Sequence, residues 1–319
     1  MTQTKEVCLT TDLKTWSGQR VLITGGTGFL ASHLCRRLLE AGAEVHATSR
    51  QDQVSGSESL RWWKTDLSSA EDVRSLFAEI QPSVVYHLAG FVGAKPDLQL
   101  VLPTFESLLA STIHIMIGAT EFGSRRIVLS GSLTEPGPSG LYPVPSSPYA
   151  AAKWAASAYG RMFHALYQAP VVVAVPFMTF GPRQYIGKLV PSVILNFLKG
   201  EVPRLSSGLW EADWIYVGDV IQGFIAAGIV PGIEGATVEL GSGSKLTTRG
   251  MVEQIAELMQ TPIKPVFGAI PDRPREPIRI ADTIETRRVL GWTPTTSLSE
   301  GLRQTIQWYE KQISVGKPR

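Results

Sequence analysis

Tyr149 and Lys153 stand four residues apart in the stretch SSPYAAAKWAASAY, and both side chains can exchange protons. Alanine is the strongest helix former, and Pro148 suits the first position of a helix. The spacing therefore places the phenol and the ammonium on one face of a predicted helix. Such a pair is either an ordinary surface contact or a pair that moves protons, and the rest of the chain decides between the two.

A glycine-rich segment, VLITGGTGFLASHL, carries Gly25, Gly26 and Gly28 between a predicted strand and a predicted helix. Glycine allows a tight turn and lets the backbone approach a pyrophosphate at the N-terminus of the helix. The strand before the turn and the helix after it favour a dinucleotide site over a purely structural turn.

The end of the second predicted strand bears on which dinucleotide is used. An acidic residue there binds the ribose hydroxyls of NAD, but this strand ends in Ser49-Arg50-Gln51 and the next acid is Asp52. Arg50 can instead pair with a 2′-phosphate, which predicts NADP(H) over NAD(H); the alternative is a solvated loop arginine. Asp66 is placed either to flank an adenine or to serve as a turn residue.

Predicted strands and helices alternate up to about residue 180, and most of the strands are apolar throughout. This pattern predicts an α/β fold, a Rossmann-type doubly wound parallel sheet with a smaller mixed C-terminal substrate lobe. One predicted helix opens with a capping box from Ser68 to Glu71. The expected organisation is an extension over 1–17, a dinucleotide-binding domain over 18–180 and 214–242, and the lobe over 181–213 and 243–319.

The composition excludes several classes of function. The chain has 319 residues and a net charge of +2, so we expect no nucleic-acid partner and no attraction to an anionic membrane. Its two cysteines are too few for a disulfide framework, and its five histidines lack metal-ligand spacing, which predicts a reducing, cytoplasmic setting and no metal. We expect neither a signal peptide nor an apolar run long enough to cross a membrane.

Four motifs in order, GGTGFL, HLAG, LSGS and YAAAK, resemble the short-chain dehydrogenase/reductase family, specifically its extended branch, over about residues 18–310. The resemblance implies an NAD(P)-dependent oxidoreductase whose catalytic residues are Ser132, Tyr149 and Lys153. Tyr149 would be the acid/base, and we expect the nearby ammonium and an oxidised nicotinamide to lower its pKa from the ordinary value of ~10. His87, in HLAG, is expected to be a buried structural residue.

The resemblance also implies two sets of binding residues. The cofactor-binding set comprises Thr24, Gly25, Gly28, Phe29, Leu30, Ser49, Arg50, Asp66, Leu67, Leu88, Ala89, Gly90, Tyr149, Lys153 and Pro176. The substrate-binding set comprises Thr134, Met178, Lys188, Leu189, Arg273 and Arg279.

The second half of the chain resembles the nucleotide-sugar epimerases, dehydratases and ketoreductases of that branch. In such proteins this lobe closes over the base and diphosphate, which implies Lys188 and Leu189 beside the base and Arg273 near the diphosphate. Two residues depart from the pattern: Ala212 replaces an arginine before the Asp-aromatic pair, and Met178 replaces an asparagine. These changes weaken the expected grip on the diphosphate, so the substrate is an unusual nucleotide sugar or another carbonyl compound.

The residues after Ser132 bear on the reaction. Dehydratases of this branch place an acid two positions after the catalytic serine or threonine, but here Thr134 stands there and Glu135 comes one position late. We therefore expect NADPH-dependent reduction of a nucleotide-linked keto sugar of the 4-keto-6-deoxy class. The alternatives are a nucleotide-sugar 4-epimerase, a reductase of non-nucleotide carbonyl compounds, and a cofactor-sensing binding protein. The resemblance further implies a homodimer.

Overall fold

The computed structural model describes residues 13–93, 95–137, 142–272 and 278–314. The strands are β1 (Arg20–Thr24), β2 (Glu44–Ser49), β3 (Leu60–Lys64), β4 (Val84–His87), β5 (Arg126–Ser130), β6 (Val171–Pro176), β7 (Met178–Phe180), β8 (Glu211–Tyr216), β9 (Thr237–Leu240) and β10 (Lys245–Thr247). The α-helices are α1 (Phe29–Glu40), α2 (Ala70–Ile80), α3 (Val101–Thr104), α4 (Ser111–Glu121), α5 (Pro148–Tyr167), α6 (Leu189–Leu198), α7 (Val217–Ile229), α8 (Thr248–Leu258), α9 (Thr283–Leu290) and α10 (Leu298–Ser314).

The chain divides into two compact units. The first contains the described residues up to Pro176 together with Ile221–Glu239 and Ile284–Trp292, and the second contains the remaining described segments. The predicted boundaries differ from this division, since they place 284–292 in the lobe. The Thr286 hydroxyl donates to the backbone oxygen of Glu239 at 2.9 Å and accepts from its N–H at 3.1 Å, which ties α9 to β9 in the first unit.

The first unit is built on a seven-stranded sheet in the order β3-β2-β1-β4-β5-β6-β9. The pairings among β1 to β6 are parallel. The central residues of β1, β2, β4, β5 and β6 are almost completely buried, as in apolar strands covered on both faces, whereas β3 at the edge of the sheet is partly exposed. The strand order reverses between β1 and β4, and ligand crevices form at such a point outside the carboxyl ends of the strands. The predicted Rossmann-type doubly wound sheet is confirmed.

The helix that carries Tyr149 and Lys153 begins where the sequence predicts. Pro148 occupies its first turn, and the Ser147 hydroxyl caps it by accepting the N–H of Ala150 at 3.2 Å. The predicted capping box of α2 is wrong by one residue, because Ser69, not Ser68, accepts the N–H of Asp72.

The predicted extension over 1–17 is wrong for its last part. The indole of Trp16 is 1% exposed, and its ring lies 6.3 Å from that of Tyr86 on β4. Burying so large an apolar surface stabilises the fold, so this residue belongs to the core of the first unit.

One helical run, Leu98–Glu121, is long and apolar enough by length and composition to cross a membrane, and 33% of its most apolar window is buried. It joins a short 3₁₀ turn, α3, the π-helical segment Phe105–Ala110 and α4. The expectation that no segment reaches this length was therefore wrong. In the first unit α4 packs against α2 and α5, the position of a helix covering one face of a sheet.

The second unit has a smaller mixed sheet in the order β10-β8-β7, with β10 antiparallel and β7 parallel to β8. Helices α6, α8 and α10 cover it, and Val193, Met251 and Leu302 meet β8 in one apolar core. The predicted smaller mixed lobe is confirmed as a fold. The segment that follows β6 forms β7.

Candidate active site

The first unit brings Ser132, Tyr149 and Lys153 together. Ser132 lies in the loop after β5, and the other two lie in the first turns of α5, where the Tyr149 side chain is hydrogen-bonded to Ser132. The Lys153 ammonium is buried and donates to the backbone oxygen of Ser130 at 2.8 Å. The lysine thereby fixes the end of β5 against α5, so one strand end and one helix define the positions of all three side chains.

Thr134, predicted as a substrate residue, lies beside Ser132. Their hydroxyl oxygens are 2.8 Å apart, and the N–H of Thr134 donates to the Ser132 hydroxyl at 3.2 Å. The loop is therefore ordered around the Ser132 oxygen, the atom expected to hold a substrate carbonyl.

The pKa of Tyr149 is raised rather than lowered, so the effect expected from the ammonium was wrong. Burial is the main cause; the hydrogen bond with Ser132 lowers the pKa, and the Glu135 carboxylate raises it. Taking a phenolate out of water next to a negative charge is unfavourable. Tyr149 therefore carries its proton at neutral pH.

The pKa of Lys153 is lowered to about 8, because burial disfavours the ammonium, while the Glu135 carboxylate raises it. The lysine is thus a buried cation close to titration, and a nearby anion helps to retain its charge.

His87 is a structural residue, as predicted. Its Nδ1 lies 2.8 Å from the Thr24 hydroxyl and its Nε2 lies 3.0 Å from the Thr112 hydroxyl. Because Thr112 already donates to Leu108, the pattern assigns the ring proton to Nε2. Burial, with a contribution from Lys153, lowers the pKa of His87 to about 3, so the ring is neutral.

The glycine-rich loop fits a dinucleotide. Gly25 has φ +68°, and a Cβ there would lie 2.8 Å from the Cα of Ala89. Gly28 is the N-cap of α1 and offers no side chain to cap it, which leaves the first-turn amides facing outward for a pyrophosphate. The Thr24 hydroxyl accepts the N–H groups of Leu88 and Ala89 at 3.0 Å each, and so joins the carboxyl ends of β1 and β4.

The other predicted cofactor residues lie at ends of elements in the first unit. Phe29 and Leu30 begin α1, and Pro176 ends β6. Gly90 has φ +149°, a backbone conformation that side-chain-bearing residues rarely adopt, and a Cβ there would press on a methyl carbon of Leu108, so glycine is favoured at this position.

Ser49 and Arg50 mark the carboxyl end of β2. The Ser49 hydroxyl accepts the N–H of Gln51 at 3.1 Å, and Arg50 is exposed. Asp52, the nearest following acid, forms an ion pair with Lys64 at 2.8 Å. Arg50 is therefore a solvent-exposed cation at the end of β2, and the acid that follows it is paired with Lys64.

Asp66 has the turn role that the sequence left open. Its Oδ1 accepts from the N–H and the hydroxyl of Ser68 at 2.9 and 2.7 Å, and these bonds, before the charge of Arg50, lower its pKa. The carbonyl oxygen of Leu67 lies 3.1 Å from Nδ1 of His114, at the start of the same turn.

The remaining predicted substrate residues lie in the second unit, and Arg273 falls outside the described residues. Met178 begins β7 and Leu189 begins α6, and both pack partly against the apolar core. Lys188 is the exposed N-cap of α6. The guanidinium of Arg279 lies 5.6 Å from the centre of the Phe177 ring.

Glu135 was not among the predicted site residues, yet it reaches the centre of the site. Its Oε1 accepts the N–H of Ser132 at 2.6 Å and the hydroxyl of Ser157 at 3.0 Å. A sequence signal existed: Ser157 follows Lys153 by four residues and therefore shares its helix face. Only the structure shows that an acid three residues after Ser132 turns back to meet that face.

Within the described residues, no group of three or more His, Cys, Asp or Glu side chains is placed to hold a metal ion. The arrangement offers instead a protonated phenol, a serine hydroxyl and a buried ammonium beside a dinucleotide loop. Such groups can hold a carbonyl oxygen and give it a proton.

Comparison with known proteins agrees with this chemistry. The profile of the NAD dependent epimerase/dehydratase family matches residues 21–230. The chain is 28% identical to dTDP-glucose 4,6-dehydratase of Neisseria gonorrhoeae, covering 93% of this chain and 97% of that one. It is 29% identical to UDP-glucose 4-epimerase of Mycolicibacterium smegmatis, covering 92% and 99%.

The fold has solved counterparts. One is UDP-glucose 4-epimerase of Thermus thermophilus in complex with NAD, with a TM-score of 0.81, 25% identity, and coverage of 92% of this chain and 99% of that one. The chain therefore belongs to the NAD dependent epimerase/dehydratase family and is an NAD(P)-dependent oxidoreductase of the extended short-chain dehydrogenase/reductase type.

Proposed function

We propose that this enzyme is an NADPH-dependent ketoreductase that acts on a nucleotide-linked keto sugar, of the 4-keto-6-deoxy class. The observation that carries the proposal is the end of β2, where exposed Arg50 follows Ser49 and the nearest following carboxylate is paired with Lys64. A guanidinium there suits the 2′-phosphate that distinguishes NADPH, while a ribose hydroxyl is better bound by an acid.

The protonation state of Tyr149 supports reduction. Bound NADPH would supply a hydride to the carbonyl carbon, and the oxygen would then need a proton. Tyr149, whose pKa is raised by burial, holds that proton at neutral pH and is hydrogen-bonded to Ser132. Ser132 would hold the carbonyl oxygen in place, and Lys153 would bind the ribose beside the nicotinamide.

The environment of Glu135 opposes a 4,6-dehydratase, although several relatives have that activity. The position two residues after Ser132 is Thr134, whose hydroxyl is engaged with Ser132. The Oε1 of Glu135 is engaged by Ser132 N–H and Ser157. An acid held in that way is not available to take a proton from a sugar carbon.

A nucleotide-sugar 4-epimerase is the second candidate, favoured by the 29% identity with UDP-glucose 4-epimerase of Mycolicibacterium smegmatis. An epimerase would retain its dinucleotide and need no external reductant. Reduction of a non-nucleotide carbonyl compound is a third candidate, favoured by the buried methyl group of Ala212.

The test is to denature the purified protein, identify any released dinucleotide by mass spectrometry, and titrate undenatured protein with NADPH and NADH by fluorescence. An empty site that prefers NADPH supports the ketoreductase, and dTDP- and UDP-linked 4-keto-6-deoxy sugars are then screened as substrates. Stoichiometric release of NAD would instead make the epimerase the leading candidate.

We also propose that the enzyme is a cytoplasmic homodimer. Support for the dimer comes from exposed apolar side chains on the run Leu98–Glu121 and on α5, including Leu102, Phe105 and Leu166. Sedimentation velocity measures the assembly, and cell fractionation measures the location.

A further inference from the structure

Glu135 connects the two elements that carry the candidate active site. Its Oε1 accepts the backbone N–H of Ser132 at 2.6 Å, while its own N–H donates to the Ser132 carbonyl oxygen at 3.1 Å. The same Oε1 accepts the hydroxyl of Ser157 on α5 at 3.0 Å. One carboxylate thus anchors the loop of Ser132 to the helix of Tyr149 and Lys153.

The backbone leaves room for this carboxylate. A Cβ at Gly131 would lie 3.0 Å from the Glu135 Oε1 and 2.9 Å from a methyl carbon of Val175. A larger residue at position 131 would push the carboxylate away from Ser132. The contact therefore depends on a glycine in the strand-end loop.

The buried carboxylate of Glu135 is stabilised by hydrogen-bond donors and by nearby cations. The residue is only 8% exposed, and a buried carboxylate is costly unless donors or cations surround it. Burial raises its pKa, whereas the bonds from Ser132 and Ser157 and the charges of Lys153 and Arg161 lower it. The Glu135 carboxylate also raises the pKa of Tyr149 on α5. On β4, the charge of Lys153 helps to keep His87 neutral.

We propose that Glu135 is a positioning residue: its carboxylate holds Ser132 against α5 and balances the charge of Lys153, so that Tyr149 keeps its proton until an alkoxide forms. The anchoring and the charge balance concern the free protein. Only the last consequence, proton retention in favour of reduction, rests on the proposed function. In this role Glu135 acts through its hydrogen bonds to Ser132 and Ser157 and not by touching the substrate.

The test compares Glu135→Gln with Ser157→Ala in protein without dinucleotide or substrate. Glutamine keeps an oxygen that accepts from Ser132 and Ser157 but carries no charge, whereas S157A removes one hydrogen bond and keeps the charge. The Lys153 titration is followed by ¹³C NMR of the lysine Cε, assigned with K153R. The Tyr149 titration is followed by ¹³C NMR of the tyrosine Cζ, assigned with Y149F.

We expect both midpoints to fall in E135Q, by roughly one pH unit, because the carboxylate raises the pKa of both groups. We expect S157A to shift them by much less. Unchanged midpoints in E135Q would overturn the charge balance, and they would do so whatever the substrate or dinucleotide proves to be.

The anchoring is tested separately by hydrogen exchange of the peptide containing Ser132. Its amide is expected to exchange at least about tenfold faster in E135A than in wild type, and at a near wild-type rate in E135Q, since only alanine removes the acceptor. Equal rates in wild type and E135A would overturn the anchoring. If E135A does not fold, E135D, whose shorter side chain withdraws the acceptor, serves in its place.

Discussion

The loop after β5 in the first unit and strand β8 in the second unit both match motifs of the resembled family, yet they match them differently. In the first, Ser132 retains the type expected for catalysis and lies with Tyr149 and Lys153. In the second, Asp213 and Trp214 are retained, but Ala212 stands where an arginine is usual.

The contacts of β8 explain the difference. The Asp213 carboxylate accepts from the N–H and hydroxyl of Ser242 and from the N–H groups of Gly243 and Ala281, at 2.6–3.0 Å. Ala212 is 4% exposed in the apolar core. The aspartate therefore holds the fold together, whereas Ala212 is an apolar core residue that cannot supply the guanidinium implied by the resemblance. The residue types expected for catalysis are present, whereas the arginine expected near a diphosphate is not.

The largest expected effect comes from removing the Tyr149 hydroxyl in the first unit. Tyr149→Phe removes the proton donor and is expected to lower turnover of a 4-keto-6-deoxy sugar nucleotide by about 10²–10⁴-fold, with NADPH affinity nearly unchanged. Absorbance at the nicotinamide band and fluorescence titration measure the two quantities. Tyr159→Phe, on an exposed part of the same helix, is the control. Retained turnover in Y149F would remove Tyr149 from the mechanism.

The structural role of β8 is tested by Asp213→Asn. An amide nitrogen in place of Oδ2 would face the N–H groups of Gly243 and Ala281, and we expect a loss of about 3 kcal/mol in the free energy of unfolding. Thermal and urea unfolding measure the loss. Asp272→Asn, at an exposed position, should change stability by less than about 0.5 kcal/mol. Equal stability of D213N and wild type would contradict a scaffold role.

A smaller effect is expected from replacing Arg50, which lies at the end of β2 in the first unit. Arg50→Asp removes a charge-assisted contact to a 2′-phosphate, worth about 1.5–3 kcal/mol, and is expected to weaken NADPH binding by about 10–100-fold while sparing NADH. Fluorescence titration of both dinucleotides measures this, with exposed Arg74→Asp as the charge-matched control. Similar losses for both dinucleotides would contradict the assignment of NADPH.

The smallest expected effect is the pH dependence of stability that Lys153 causes. Its pKa is about 8 in the folded protein and 10.5 ordinarily, so between these values the unfolded chain holds more protons. The free energy of unfolding should therefore rise with pH by about 1 kcal/mol per pH unit across that window. As the pH falls from 10.5, this contribution decreases, and it is lost once the pH has passed through 8.

Urea unfolding at pH 8 and pH 9.5 measures that slope in wild type and in Lys153→Met. The variant has no group to titrate, so its slope should be smaller. An identical slope in the two proteins would show that the ammonium is not buried as described.

Local pattern was enough to predict much of the first unit. The period of apolar residues, Pro148 and the glycines between β1 and α1 act over a few residues, and they predict the sheet, the α5 helix and the glycine-rich turn correctly. Predictions that required neighbours in space failed more often. The apolar Trp16 was assigned to an extension, and the pKa of Tyr149 was expected to fall.

By itself, then, the sequence determined the fold class, the order of the motifs and the pairing of Tyr149 with Lys153 on one helix face, because these follow from spacing along the chain. Tertiary structure alone decided that Glu135 meets Ser157, that Asp213 serves the scaffold, and that burial and a nearby anion keep Tyr149 protonated. Desolvation and hydrogen bonding depend on which distant groups the folded chain brings together, and no local spacing records them.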